Sequence, residues 1–223
     1  MRNTLPSNNR YQYPNLRGLY AITDGSLLSH NKLKDAVEQA ILGGAQVIQY
    51  RDKQSAPQTR KQQALELVTL CNAHQVPCII NDDIELAKAA NAHGVHIGKD
   101  DNTIKEARNF LGHDALIGVS CYNSLELAQI AETGGADYVA FGSFYSSSTK
   151  PQAVKADLKL LQEAKNQIKI PVVAIGGITP GNAAALINAG ADMLAVINAI
   201  FGQPDVYRAS KQFADLFNQD TLE

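Results

Sequence analysis

Two kinds of apolar pattern alternate along this chain. Short runs rich in β-branched residues predict strands, and segments with apolar residues every three or four positions predict helices with one buried face. Amphipathic segments of the second kind include "LKDAVEQAILGG" and "LKLLQEAKNQI". The predicted strands are "GLYAIT", "AQVIQYR", "PCIIND", "GVHIGK", "LIGVSC", "DYVAFGS", "PVVAIGG" and "MLAVINAI".

The strict alternation of strands and helices indicates a parallel sheet. Eight strands in 223 residues favour an α/β fold, a single-domain (β/α)8 TIM barrel over residues 16–223. The polar residues 1–15 are interpreted as a flexible N-terminal tail. An open doubly wound sheet is the structural alternative, but such sheets usually have fewer strands. No G-x-G-x-x-G follows the first predicted strand either.

Composition and charge narrow the functional classes. The net charge of -2 gives no basic footprint for nucleic acid, so any phosphate must be bound by a local site. No apolar run has membrane-spanning length, and the N-terminus lacks the apolar core of a signal peptide. Cys71, Cys78 and Cys121 are too scattered for a disulfide framework, which favours buried thiols in a cytoplasmic protein. The oligomeric state is left open, a homo-oligomer included.

Polar residues after the second predicted strand form the first candidate group, because sites in this barrel lie at the carboxyl ends of the strands. Side chains alternate along a strand, so Gln49, Arg51 and Lys53 share one face with the apolar Val47. Arginine suits a phosphate through forked contacts and lysine as a point charge. The competing interpretation is a surface ion pair with Asp52 or with a nearby helix.

Aspartates after the third and fourth predicted strands form the second group. Asp82 and Asp101 are the candidates for a Mg²⁺ site, since magnesium commonly takes one or two carboxylates together with substrate phosphates. Asp83 and Asp100 are weaker candidates. Aspartate after a strand is also a frequent helix cap, and the two interpretations are evenly balanced here. His96 lies inside its strand, which is more typical of a core histidine than of a catalytic base.

The last strands add a second candidate anion site. Gly176 and Gly177 precede a predicted helix start near Pro180, and loops after strands seven and eight form a phosphate site in many barrels. The serine-rich run "YSSSTK" at residues 145–150 is the sixth β–α loop, beside that region. Ser120, near the end of the fifth strand, is weak evidence alone, because no G-x-S-x-G supports a nucleophilic serine. The absence of an evident base dyad favours chemistry that stabilises leaving-group charge over chemistry that abstracts a proton.

Taken together, these motifs resemble the thiamine-phosphate synthase family over about residues 18–201. Each motif is short and weak alone, but their order on successive strands is specific. They are "YAITD", "QYRDK", "NDD", "GVHIGKDD", "IGVSCYNSLELA", "GADYVAFGSFYSSSTK" and "AIGGI…AGADMLAVINAI".

The resemblance implies that hydroxymethylpyrimidine diphosphate and hydroxyethylthiazole phosphate are joined, with loss of pyrophosphate, by a dissociative mechanism. It implies catalytic roles for four residues: Arg51, Lys53, Lys150 and Ser120. It implies contacts with the pyrimidine diphosphate from Gln49, Arg51, Lys53, Asn81, Ser120 and Lys150. It implies Mg²⁺ on Asp82 and Asp101, and contacts with the thiazole phosphate from Ser147, Ser148, Thr149, Gly177, Ile197 and Asn198.

The sequence departs from the family pattern at several positions. Family members commonly have glutamine, proline, threonine, serine and histidine where this chain has Lys99, Ser143, Ser147, Asn198 and Tyr122. None of these changes removes a residue that the resemblance assigns to the diphosphate or the metal.

Three alternatives remain. A thiazole tautomerase of the same superfamily would need a histidine base where Tyr122 stands. An isomerase or aldolase would need a lysine or carboxylate deep in the barrel. A non-catalytic barrel that binds phosphorylated ligands would bind both substrates and magnesium without turnover.

Overall fold

The computed structural model describes residues 13, 16–98, 101, 103–146 and 154–218. Eight parallel strands close into one barrel in sequence order, with β8 hydrogen-bonded to β1. The predicted (β/α)8 barrel is therefore confirmed. The strands are β1 (Gly18–Ile22), β2 (Ala45–Tyr50), β3 (Cys78–Asn81), β4 (Gly94–Ile97), β5 (Leu116–Tyr122), β6 (Tyr138–Gly142), β7 (Val172–Ile175) and β8 (Met193–Val196).

Helices follow the strands around the outside. A helix precedes β2 and every later strand, and two more follow β8. They are α1 (His30–Leu42), α2 (Pro57–Ala73), α3 (Ile84–Ala89), α4 (Ile104–Leu111), α5 (Leu125–Thr133), α6 (Leu158–Gln167), α7 (Pro180–Asn188), α8 (Asn198–Phe201) and α9 (Val206–Asn218). The start of α7 at Pro180 agrees with the prediction, since proline suits the first position of a helix.

The prediction for the eighth strand was too long. The sequence "MLAVINAI" predicted a strand to residue 200, but β8 ends at Val196 and α8 begins two residues later. Pairing with β1 ends where Ala21 meets Val196, so the following residues have no strand neighbour. Ile200 and Phe201 are buried by the helical turn instead.

Two apolar cores hold the barrel. One fills its interior and includes Tyr20, Val47, Tyr138 and Met193. The other lies between the strands and the helices. Because most strand residues are buried on one side or the other, the strands read as nearly continuous apolar runs. All three cysteines are buried free thiols, as predicted.

An ion pair fixes the amino end of the barrel. Arg108 of α4 donates to the Asp137 carboxylate at 2.8 Å and to the carbonyl oxygens of Ala115 and Gly135. The Asp137 carboxylate also accepts the Ile117 N–H at 2.8 Å. This cluster ties α4 to the entrances of β5 and β6, opposite the carboxyl end.

Within the described ranges, no helix is both long enough and apolar enough to cross a bilayer. The cytoplasmic location stays a prediction.

Candidate active site

A cavity of about 610 Å³ opens at the carboxyl ends of the strands. Seven residues that the sequence placed in the site line it: Gln49, Arg51, Asn81, Ser120, Gly177, Ile197 and Asn198. They come from β2, β3 and β5, from the loops after β2, β7 and β8, and from the first residue of α8. Closure of the barrel brings together polar residues that are up to 149 positions apart, counted from Gln49 to Asn198.

The bottom of the cavity is a chain of hydrogen bonds, here called the floor network. Its members are Gln49, Tyr20, Tyr138, His96 and Ser120. The Gln49 Nε2 donates to the Tyr20 hydroxyl at 2.7 Å, and the two tyrosine hydroxyls lie 2.8 Å apart. The His96 ring joins Tyr138 to Ser120, with its Nδ1 3.2 Å from the phenol and its Nε2 2.9 Å from the Ser120 Oγ. The network thus connects two residues predicted to contact the pyrimidine.

The two tyrosines of the floor network are neutral donors and acceptors. Burial is the largest cause that raises the pKa of Tyr20 and of Tyr138 well above the usual range, so both phenols stay protonated. Both ring nitrogens of His96 have hydrogen-bonding partners, as the core interpretation expected. The ring also lines the cavity, which that interpretation did not foresee.

Arg51 is held in place by residues that follow β1. Its Nη1 lies 3.0 Å from the Asp24 Oδ2, and its backbone N–H donates to the Thr23 Oγ at 2.9 Å. The Thr23 hydroxyl donates to the Arg51 carbonyl oxygen at 3.2 Å, while Ser26 donates twice to the Asp24 Oδ1. The ion pair predicted as the alternative therefore exists, but with Asp24 and not with Asp52. It leaves Arg51 in the wall of the cavity.

Lys53, Asp82 and Asp101 form what we call the charged rim, beside the cavity. Lys53 and Asp82 line a neighbouring pocket of about 380 Å³, and Asn81 lines both that pocket and the cavity. The Lys53 Nζ is 3.1 Å from the Asp82 Oδ2. The Asp101 Oδ2 accepts the Gly98 N–H at 2.6 Å. Desolvation and the neighbouring Asp82 carboxylate raise the pKa of Asp101, which shows that the two predicted metal ligands lie close together.

The aspartates after β3 were interpreted either as metal ligands or as helix caps, and the adjacent Asp82 and Asp83 differ in this respect. Asp83 is the N-cap of α3, where its Oδ1 accepts the Leu86 N–H at 2.8 Å, and its Oδ2 pairs with Arg60. Asp82 has a φ of 63°, an uncommon value for a non-glycine residue, and its N–H donates to the His96 carbonyl oxygen at 2.8 Å. Asp83 is therefore the capping residue, whereas Asp82 faces the rim. Asp100 lies outside the described residues.

The opposite wall is a glycine turn after β7. Gly176 and Gly177 have φ values of 108° and 62°, which suit glycine. A Cβ on Gly177 would lie 2.4 Å from the Ser146 carbonyl oxygen, so the sixth loop packs directly on the turn. The Asn182 Nδ2 holds the Gly177 carbonyl oxygen at 3.1 Å. The described start of the serine-rich loop thus lies beside the seventh-strand loop, as predicted.

Four predicted loop residues lie outside the described residues: Ser147, Ser148, Thr149 and Lys150. The same holds for Lys99. The structure therefore neither supports nor opposes the roles that the resemblance implies for these residues.

The charged residues that line the cavity help to distinguish the proposed transferase from an aldolase or isomerase. Among the described residues that line the cavity there is no lysine, aspartate or glutamate. A catalytic lysine or carboxylate deep in the barrel, as an aldolase or isomerase would need, is not found in that part of the chain.

Cys121 faces the outer core, and burial raises its pKa to about 12, so it stays an unreactive thiol.

Sequence reasoning missed five residues that shape the site: Tyr20, Tyr138, Thr23, Asp24 and Tyr122. The first two resemble ordinary core aromatics inside strands. Thr23 and Asp24 could have been predicted from the sequence, because polar residues directly after a strand lie at the carboxyl end of the barrel. Tyr122 entered only as a departure from the family pattern, although it lines the cavity.

The fold and the site define a (β/α)8 barrel enzyme with a cavity at its carboxyl end and a charged rim beside it. Residues 19–200 match the family model described as thiamine monophosphate synthase. The chain therefore belongs to the thiamine monophosphate synthase family, and it is a transferase of thiamine biosynthesis.

Similar proteins of known name agree with this assignment. The thiamine-phosphate synthase of Thiobacillus denitrificans is 53% identical over 206 residues, which cover 92% of this chain and 97% of that protein. The thiamine-phosphate synthase of Nitrosococcus oceani is 48% identical, with 91% and 93% covered. Among solved structures, the thiamine phosphate pyrophosphorylase from Pyrococcus furiosus superposes with a TM-score of 0.84 at 33% identity, over 94% of this chain and 98% of that one.

Proposed function

We propose that this chain condenses hydroxymethylpyrimidine diphosphate with hydroxyethylthiazole phosphate to give thiamine phosphate and pyrophosphate. The observation that carries the proposal is the arrangement of two anion-binding features around one cavity. Arg51 and the charged rim lie on one side, and the glycine turn after β7 lies on the other. Two phosphorylated ligands can therefore meet over the mouth of the barrel.

The floor network suits the pyrimidine ring. A heteroaromatic ring with an amino substituent needs both donors and acceptors, and the amide of Gln49 and the hydroxyl of Ser120 offer both at opposite ends of the network. Tyr20 and Tyr138 pack edge to face with their centroids 5.8 Å apart, which makes the support rigid. With the ring on the floor, its diphosphate would lie toward Arg51 and Lys53.

The charged rim fits a magnesium ion. In the described part of the chain no group of three or more histidine, cysteine, aspartate or glutamate side chains could hold a metal. Asp82 and Asp101 supply two carboxylates, and a diphosphate can supply the remaining oxygens, as is usual for Mg²⁺. Desolvation is the largest cause that raises the pKa of Asp101, and the Asp82 carboxylate raises it further, so a cation at this rim would relieve part of the repulsion between the two carboxylates. Bound there, Mg²⁺ would neutralise charge on the departing pyrophosphate.

The reaction then needs charge stabilisation more than proton transfer. The bond between the pyrimidine methylene carbon and the diphosphate oxygen breaks, and pyrophosphate leaves with the electron pair. The thiazole nitrogen donates its lone pair to the resulting carbocation and forms the new C–N bond. Arg51 and Lys53 stabilise the developing negative charge, while the floor network holds the ring in line. No proton is removed, which agrees with neutral phenols and a cavity lining without described carboxylates.

The thiazole phosphate would lie against the glycine turn. Gly177 lines the cavity in the turn after β7, and the adjacent start of α8 follows the pattern in which loops after strands seven and eight bind phosphate. Ile197 and Asn198 line the same side of the cavity. Ser147, Ser148, Thr149 and Lys150 remain part of this proposal through the family resemblance.

The test is direct. Purified protein is mixed with both precursors and MgCl2, and thiamine phosphate and pyrophosphate are measured. Formation of both products in equal amounts is expected. Binding of both precursors without product would instead indicate a non-catalytic ligand-binding barrel, and product without any magnesium dependence would refute the metal assignment.

Variants at the rim separate the roles of its carboxylates. We expect Asp82→Asn and Asp101→Asn each to lose most magnesium-dependent turnover. Asp83→Asn is the matched control, because asparagine can still cap α3 and the second carboxylate oxygen of Asp83 pairs with Arg60. Arg51→Ala should weaken binding of the pyrimidine diphosphate far more than binding of the thiazole phosphate. Equal loss of the two affinities would contradict the division into two anion sites.

A further inference from the structure

Tyr122 has an unusual backbone conformation at the mouth of the cavity. It is the last residue of β5 and has a φ of 55°. A non-glycine residue in this region stores strain, and such strain persists only where the surrounding structure enforces it. The pairing of β5 with β6 shifts between Ser120 and Tyr122, so that Ser120 faces Ala140 and Tyr122 faces Phe141. The bulge sets the direction of both side chains.

The two side chains reach different parts of the site. Ser120 belongs to the floor network, and Cys121 points into the outer core. Tyr122 lines the cavity above them and remains 37% exposed, although its ring is large and apolar. An aromatic side chain kept this open, on a strained backbone and in the wall of a cavity, is better explained by a ligand than by packing.

The phenol extends toward the charged rim. Its hydroxyl oxygen lies 3.8 Å from the position that a Cβ would take on Gly98, and Gly98 donates its N–H to the Asp101 carboxylate. A Cβ on Gly98 would itself lie 2.9 Å from the Asp101 Oδ2. The side chain of Tyr122 therefore spans from β5 to the end of β4, where a predicted metal ligand lies.

A phenol hydroxyl is a neutral donor that adds no charge to a rim already crowded with ions. We infer that Tyr122 donates a hydrogen bond to the diphosphate of the substrate and to the pyrophosphate product, next to Asp101. This role rests on the proposed function, because it requires a diphosphate on the charged rim. The ring would at the same time cover the side of the cavity that leads to the floor network.

The decisive measurement is binding of inorganic pyrophosphate, with Mg²⁺ present, by titration calorimetry. Tyr122→Phe keeps the ring and removes only the hydroxyl, so we expect it to bind pyrophosphate about tenfold more weakly than the wild type, as for loss of one hydrogen bond to a charged group. Tyr122→His retains a donor and should recover part of the affinity. Binding of thiazole phosphate should be unchanged in both variants, which a general loosening of the fold would not allow.

Tyr207→Phe is the matched control. Tyr207 lies on α9, is 42% exposed and is not among the described residues that line the cavity. Pyrophosphate binding by Tyr122→Phe within twofold of the wild type would overturn the role of Tyr122. If the wild type makes thiamine phosphate, that result leaves the proposed function intact. Failure of the wild type to form product would overturn both, whereas a wild type that forms product without binding pyrophosphate would overturn the role of Tyr122 alone.

Discussion

His93 makes the stability of this barrel depend on pH. It is buried directly before β4, and its Nδ1 lies 3.0 Å from the Cys78 backbone nitrogen, which donates to it. Desolvation lowers the pKa of His93 to about 4. The folded state therefore holds a neutral imidazole, whereas the unfolded chain takes up a proton at about pH 6.5.

The sign and size of the effect follow from these two values. A depressed pKa stabilises the fold above the unfolded value, and that contribution is lost as the pH falls from about 6.5 toward 4. Since one pKa unit corresponds to about 1.4 kcal/mol, linkage gives a loss of about 2 kcal/mol in the free energy of unfolding between pH 7.5 and pH 5.

The assay is urea denaturation followed by circular dichroism at both pH values. His93→Gln is the comparison, because its amide oxygen can accept the Cys78 N–H but does not titrate. We expect the wild type to lose about 2 kcal/mol more than the variant between the two pH values. Equal losses would refute the reasoning. If the variant does not fold, the pKa of His93 can be measured in the wild type by an NMR titration. A value near 6.5 would also refute the reasoning.

Three further substitutions test other contacts. Arg108→Met should lower the free energy of unfolding by about 3–5 kcal/mol in urea denaturation, because it leaves the Asp137 carboxylate buried without its cation. Asp24→Asn should raise the KM for the pyrimidine diphosphate about fivefold, while the KM for the thiazole phosphate stays the same, since Arg51 loses one charged hydrogen-bonding partner. Ser210→Ala should leave stability unchanged or raise it by about 1 kcal/mol, measured as a higher Tm. Its hydroxyl is buried and has no hydrogen-bonding partner in the residues described.

The barrel could be predicted because its signals are local. Each strand is short, mostly buried and followed by a helix, so the alternation survives in the sequence. Gln49 and Arg51 followed from the same logic, since the two-residue period of a strand places both side chains toward the cavity. The prediction for the eighth strand was too long because an apolar run in the sequence does not show where the neighbouring strand ends.

The finer geometry could not be predicted because it depends on distant partners. Tyr20 and Tyr138 lie 118 positions apart, and only closure of the barrel shows that their hydroxyls meet. Asp82 and Asp83 are chemically identical neighbours, and a backbone dihedral decides which one caps a helix and which one faces the rim. Propensity scales contain no information on that choice.

The two cations beside the cavity differ in how firmly they are held. The side chains of Arg51 and Asp24 are 17% and 12% exposed, whereas those of Lys53 and Asp82 are 58% and 31% exposed. An exposed pair contributes at most about 1 kcal/mol, so Lys53 could leave Asp82 at little cost if the proposed metal ion bound that carboxylate. Arg51 is fixed by a buried carboxylate and by Thr23, and it keeps donors to spare. The proposed diphosphate would thus be received by a stationary arginine and by a lysine free to change partners.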